Sequence, residues 1–192
     1  MQILFTGFGA FPGMPWNPAN AVSQAAARRA ASLEVEAGFE ELSVTFDAVE
    51  RAACLLDGRA ELIVHIGVAG SRDTVTVERR AVNWRSATPD AAGATVENPG
   101  KLVQDAEARV STLPLGGLVD ALTLRWRASR VELSDDAGEY VCNATLFHGL
   151  GKRTPRVFVH VPLLEESVAE ELGEALGDAV VAWWAEAVSA GT

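Results

Sequence analysis

The sequence predicts an α/β fold of three layers, a largely parallel twisted sheet with helices on both faces. Two observations carry that expectation. Residues 62–67 (LIVHIG) and 157–161 (VFVHV) are continuous apolar runs of the kind found in strands buried on both faces. Such strands alternate along the chain with helix-length segments, the pattern of βα units wrapped around a parallel sheet. No internal repeat, low-complexity tract or linker interrupts the 192 residues, so the whole span 1–192 is expected to be one domain.

Each element has its own local reason. Residues 3–5 open the sheet as a short apolar strand ending at Thr6 and Gly7. The next stretch, FGAFPGMPW, is rich in glycine, proline and aromatic residues and reads as a functional loop. Asn17 is an N-cap with Pro18 at the first helical position, opening an alanine-rich helix to about Ala31. Residues 33–44 alternate as a strand with a polar face, and Thr45 or Asp47 caps a helix through Leu56, closed by Asp57 and Gly58. Residues 74–84 again alternate like a strand. Residues 85–113 are rich in Ala, Gly, Pro and polar residues and read as irregular, either a lid or an excursion at the sheet edge. Residues 115–127 read as helix, and the strand 157–161 is stopped by Pro162. A final helical region spans 164–188, broken near Gly173 or Gly177.

Between the last two of these strands and helices lies the segment 131–142, VELSDDAGEYVC. A β-branched start, a turn built from Ser134, Asp135, Asp136 and Gly138, and an apolar-periodic continuation describe a strand that turns sharply into a helix. Cys142 falls in the first turn of that helix, where unpaired N–H groups and the positive end of the helix dipole favour a thiolate. On its own a free cysteine reads first as a small buried hydrophobe. Its neighbours therefore decide. In parallel sheets ligands sit outside the carboxyl ends of the strands, which gathers the loops after Gly7 and Gly67, the turn before Cys142 and His160 at one edge. His160 is then either the base that pairs with Cys142 or a core histidine bonded to a carbonyl. His148 lies six residues beyond Cys142, roughly 120° around the helix, and points elsewhere. His65, inside an apolar strand, reads as structural. Glu78, in VTVERRAVN, either orients His160 or pairs with Arg79 or Arg80 on a solvated face. Cys54, within AACLL, reads as core.

The bulk properties exclude several functions. Sixteen basic against 26 acidic residues give a formal charge of −10, the wrong sign for a nucleic-acid partner. No apolar run approaches the roughly 18 residues of a membrane-spanning helix. The start MQILFTGF has neither a basic n-region nor a cleavage-like site, which points to a cytoplasmic location. Two cysteines without paired spacing suit a reducing compartment, and three scattered histidines predict no metal. GFGAFPG has the wrong spacing for a dinucleotide loop, and Asn17 opens its helix too far beyond Gly7 to meet a phosphate.

Five blocks, in this order, resemble one family over nearly the whole chain. TGFGAFPGMPWNPA, VTVERRAVN, STLP at Ser111–Pro114, SDDAGEYVCN and VFVHVP are similar to the motifs of pyroglutamyl peptidase I, the pyrrolidone-carboxylate peptidases. The resemblance implies a cysteine peptidase that removes an N-terminal pyroglutamate (5-oxoproline) from peptides, with Cys142, His160 and Glu78 as its catalytic triad. It also implies a substrate pocket in which Phe8 and Phe11 hold the flat lactam ring, and no cofactor. An aromatic slot is the physically sensible choice, because a blocked N-terminus has no ammonium for an acidic residue to bind. The family commonly forms homo-oligomers, for which Trp183 and Trp184 read as buried anchors or, equally, as core. Two departures stand out. Gly67-Val68-Ala69 replaces a frequent Gly-Gln-Ala, and Ser86-Ala87-Thr88-Pro89-Asp90 replaces Asp-Ala-Arg-Ile-Pro-Asp, losing an arginine for which Arg85 is the nearest substitute. They keep open a related cysteine amidase of shifted specificity, or a binding module that has lost turnover.

Overall fold

The computed structural model describes residues 1–95 and 99–190. The chain runs β1 (Gln2–Phe8), α1 (Pro18–Ser32), β2 (Glu36–Leu42), α2 (Phe46–Leu55), β3 (Leu62–Val68), β4 (Val75–Glu78), β5 (Arg80–Ala81) and β6 (Arg109–Val110). It continues with α3 (Leu115–Arg125), β7 (Val131–Ser134), α4 (Val141–Leu150), β8 (Arg156–Val161) and α5 (Glu166–Ala190). Six strands form one mostly parallel sheet in the order β2-β1-β3-β8-β4-β7, and β5 pairs with β6 apart from it.

The sheet is mixed, and its one reversal matters for the site. β2, β1, β3 and β8 are parallel, whereas β4 runs antiparallel to β8 and carries β7 parallel to itself. The connection 69–74 explains the reversal, because a parallel return needs a crossover of about a dozen residues or more. The carboxyl end of β7 therefore lies at the opposite end of the sheet from those of β1, β3 and β8. The turn before Cys142 does not join the other loops at a common carboxyl edge, as the sequence suggested. It reaches them across the face of the sheet.

The two faces differ in kind. Ile3, Phe5, Leu62, Val64, Ile66, Val75, Val77, Val157, Val159 and Val161 form one wholly apolar face, buried under α1, α3 and α5. The alternate positions include Thr6, His65, Thr76, Glu78 and His160, all buried, on the side covered by α2 and α4. With a period of two, one strand thus builds a core and a polar site at once.

Most element ends follow the expected chemistry. Asn17 caps α1 through Ala19 N–H, and Thr45 caps α2 through Ala48 N–H. Two expectations, the break in α5 and the burial of Cys54, are corrected, and the alternatives left open for Trp183 and Trp184 are resolved. α5 is unbroken through Gly173 and Gly177, because these glycines are contact points with α1: a Cβ on Gly173 would stand 2.5 Å from Ala25 Cβ, and one on Gly177 2.7 Å from Ala26 O. Trp183 and Trp184 are buried against each other, and Trp183 Nε1 donates to Pro114 O at 3.0 Å, so both belong to the core. Cys54 is exposed, since the buried stripe of α2 is Phe46, Val49 and Ala53, and its sulfur accepts from Lys152 Nζ at 3.0 Å.

The irregular segment after β5 lies on α2 and α4 and is tied down there. Residues 96–98, inside it, are outside the described residues. Asp90 Oδ2 accepts from Phe46 N–H at the start of α2, Ala91 N–H donates to Val44 O, and Tyr140 O–H donates to Pro89 O. Arg109 donates to Phe147 O and stacks 4.1 Å over the Phe147 ring.

Candidate active site

Cys142 is the second residue of α4, which begins at Val141 without a side-chain cap hydrogen bond. The first N–H groups of any α-helix lack intrahelical acceptors, so this end presents free donors beside the thiol. The sulfur lies directly over β3: a Cβ on Gly67 would stand 2.8 Å from Cys142 Sγ and 2.8 Å from Phe158 Cζ. Gly67 and His160 are register partners on adjacent strands. Absence of a side chain at 67 is what lets the helix that carries Cys142 settle this close to the sheet.

His160 is 4 % exposed and Glu78 0 % exposed. His160 Nδ1 and Glu78 Oε1 are 2.8 Å apart, a contact that the antiparallel register of β4 permits by placing Thr76 opposite His160 and Glu78 opposite Phe158. A carboxylate taken fully out of water needs compensating donors. Glu78 Oε1 has three, since Thr76 Oγ1 donates at 2.8 Å and Arg72 Nη1 at 2.7 Å alongside the imidazole.

Electrostatics follow from this packing. Burial works to depress the His160 pKa, but the Cys142 sulfur, as hydrogen-bond partner and negative charge, and the Glu78 carboxylate outweigh it and raise the value to about 9. Burial works to raise the Glu78 pKa, and the polar neighbours His160, Ser134 and Thr76 overcome that, leaving it below the ordinary carboxylate value. The imidazole thus keeps its proton at neutral pH between two groups that favour its charge.

The other singled-out residues separate cleanly. Phe8 is 3 % exposed and packs in one apolar cluster with the partly buried Phe11 and Cys142. Phe11 is held in its loop by a reciprocal backbone pair with Met14, at 3.1 and 2.8 Å. His65 is buried, bonded to Thr6 Oγ1 at 2.7 Å, with its pKa pushed down to about 3 by burial and by Arg156. His148 lines a separate cavity of about 140 Å³ with Phe46, Glu50 and Arg85. Arg85 stacks 4.1 Å above the Phe46 ring there. Val68 packs against the opposite, apolar face of the sheet, and Thr88 is exposed. Arg79 pairs with Asp135, so the strand-neighbour explanation of Glu78 does not hold.

Three residues at the site carry no signal in the linear sequence. Arg72 and Thr76 surround Glu78 from the connection and the strand. Asn143, fully buried next to Cys142, accepts from Val82 N–H and donates to the Val82 and Trp84 carbonyls, pinning the start of α4 to the strand 80–84 region. A buried amide three-fold bonded to backbone fixes the helix that carries the thiol. Among the described residues no group of three His, Cys, Asp or Glu side chains could hold a metal ion.

A model of the pyroglutamyl peptidase family matches residues 1–191. The pyrrolidone-carboxylate peptidase of Thermococcus onnurineus is 34 % identical over 184 residues, covering 89 % of this chain and 88 % of the relative. That of Gloeobacter violaceus is 36 % identical over 187 residues, covering 91 % and 88 %. Among solved structures, the pyrrolidone carboxyl peptidase of Pyrococcus furiosus superposes with a TM-score of 0.78 at 26 % identity, covering 97 % of this chain and 99 % of that one. With a family match across nearly every residue and relatives above 30 % identity, the chain belongs to the pyroglutamyl peptidase family.

Proposed function

We propose that Cys142, His160 and Glu78 are the nucleophile, the proton carrier and the orienting carboxylate of this chain. As a member of the family it is a cysteine peptidase that removes an N-terminal pyroglutamate from peptides. One observation carries the assignment of roles: the His160 ring is bonded to Glu78 Oε1 at 2.8 Å, while the Cys142 sulfur sits over Gly67, the register partner of His160.

The chemistry follows in two halves. The thiolate of Cys142 attacks the carbonyl carbon of the pyroglutamyl residue, and the carbonyl oxygen becomes an oxyanion that the free N–H groups at the start of α4 stabilise. His160 gives its proton to the departing amine, the C–N bond breaks, and a thioester remains. Water then attacks the thioester with His160 taking its proton, the C–S bond breaks, and pyroglutamate leaves as the Cys142 thiolate and the protonated His160 are restored. Glu78 keeps the imidazole in the productive orientation and supports its charge in both halves. Phe8 and Phe11 supply the apolar walls for the lactam ring. The proposal is completed by a cytoplasmic location and a homo-oligomeric state, the latter measurable by sedimentation velocity. Among the described residues no helix is long and apolar enough to cross a membrane.

The test is hydrolysis of a pyroglutamyl fluorogenic amide. Cys142→Ala should abolish turnover with an unchanged circular dichroism spectrum, and Cys54→Ser should leave kcat/KM intact. Activity retained in Cys142→Ala means a different nucleophile. Because Cys54 is exposed beside Lys152, thiol labelling of Cys142 has to be read in the Cys54→Ser background.

A further inference from the structure

We propose that Arg72 is a positioning residue for this reaction, a single guanidinium that clamps Glu78 and the turn leading to Cys142 in fixed relation. The inference rests on the reading of Cys142, His160 and Glu78 given above. Arg72 stands in the connection 69–74 and is 25 % exposed on its side chain. Its Nη1 donates to Glu78 Oε1 and to Thr76 Oγ1, each at 2.7 Å, and its Nη2 donates to the carbonyl of Asp136. Asp136 belongs to the tight turn between β7 and α4, where Ser134 Oγ accepts from Asp136 N–H and Asp136 Oδ1 accepts from Gly138 N–H.

Two details make the clamp more than neutralisation of a buried charge. All the donors to Glu78 converge on Oε1, while the buried Oε2 has no hydrogen-bond partner among the described residues. Arg72 and Thr76 therefore choose which carboxylate oxygen faces His160. Moreover, the planar guanidinium presents its donors at fixed angles and so holds the carboxylate and the backbone carbonyl in a set relation, whereas a lysine ammonium supplies the charge on a compact, freely rotating group. The turn after β7 comes back across the face of the sheet, and there the Arg72 side chain, reaching from the connection 69–74, meets it.

A purely structural Arg72 and a positioning Arg72 differ in what they move. The charged and titratable groups around Glu78 are His160 from β8 and Cys142 behind it from α4. Beyond Ser134 on β7 lie Glu132, bonded by Thr74 and Arg130, and Asp135, paired with Arg79; Asp73 adjoins Arg72 in sequence. Arg79 and Arg130 are committed to Asp135 and Glu132, so removing Arg72 takes away a cation that no neighbour replaces beside the Glu78–His160 contact. Both limbs of the pH profile for alkylation of Cys142 then move to higher pH.

The experiment compares Arg72→Gln, Arg72→Lys, Glu78→Gln and the double variant Arg72→Gln/Glu78→Gln in the Cys54→Ser background. Arg72→Gln should lower kcat by about ten- to a hundredfold with KM within about twofold and shift the alkylation limbs upward. Arg72→Lys should keep the limbs in place and recover only part of kcat. Since Arg72 acts through Glu78, the double variant should turn over within about threefold of Glu78→Gln alone. Losses that multiply, or wild-type kcat with unmoved limbs in Arg72→Gln, overturn the proposal. If Arg72→Gln does not fold, wild-type kcat in Arg72→Lys overturns it. Failure of the parent protein to hydrolyse the amide sinks the underlying reading and this proposal with it, whereas turnover indifferent to Arg72 sinks the proposal alone.

Discussion

The side chain of Glu78 sets the energetic problem of the site. A carboxylate with no exposure is costly unless its charge is matched, and here the matching groups are His160, Thr76 and Arg72. Glu78→Gln keeps the shape and some hydrogen bonding but withdraws the charge that supports the imidazolium. kcat should fall by about ten- to a thousandfold with little change in KM, and steady-state kinetics together with the alkylation profile of Cys142 read this. Wild-type turnover with an unmoved profile leaves a Cys-His pair without an orienting carboxylate. At this scale much was legible: position at a helix start marked Cys142, and the end of a buried strand marked His160. Arg72 was not legible, because nothing in a linear pattern says that a loop residue six positions before Glu78 folds back onto it. The adjacent Arg79 is nearer in sequence, but strand alternation sends it to Asp135. Cys54 departs from its core-like sequence context for a similar reason, one residue of helical phase separating it from the buried stripe.

Elements were predicted well where a local signal exists and poorly where a distant surface decides. Both caps, the buried strands and the sharp turn into α4 came from residue types at fixed offsets. The antiparallel β4 and the continuity of α5 came from topology and packing. Gly173 and Gly177 look like helix breakers in sequence, yet each sits where an added Cβ would run into α1. Gly173→Leu should therefore leave α5 helical and force the two helices apart, at a cost of about 1–3 kcal/mol. Gly116, in α3, has nothing within 4 Å of an added Cβ, so Gly116→Ala should stabilise by up to about 1 kcal/mol through helix propensity. Thermal melts of the two variants check this, and a Gly173→Leu midpoint equal to wild type contradicts the packing account.

At the level of the whole molecule, the two buried histidines make stability depend on pH in opposite senses. His160 has its pKa raised from 6.5 to about 9, so its contribution is fully present below about pH 6.5 and is lost as pH rises through about 9. His65 has its pKa lowered from 6.5 to about 3, so its contribution is present above about pH 6.5 and is lost as pH falls towards 3. Glu78, held below its ordinary 4.5, adds to the acid loss. The formal charge of −10 at pH 7 adds a general repulsion common to all single variants. Comparison of variants with wild type isolates the two histidines. Stability should peak near pH 6.5, and Cys142→Ala should flatten the flank between about 6.5 and 9 by removing the partner that most favours His160 protonation. His65→Gln, which can still bond Thr6, should flatten the acid flank and leave the alkaline one unchanged. Thermal midpoints measured across pH 4–9 for the three proteins decide the matter, and an alkaline flank in Cys142→Ala as steep as wild type shows that the thiol does not hold the proton on His160.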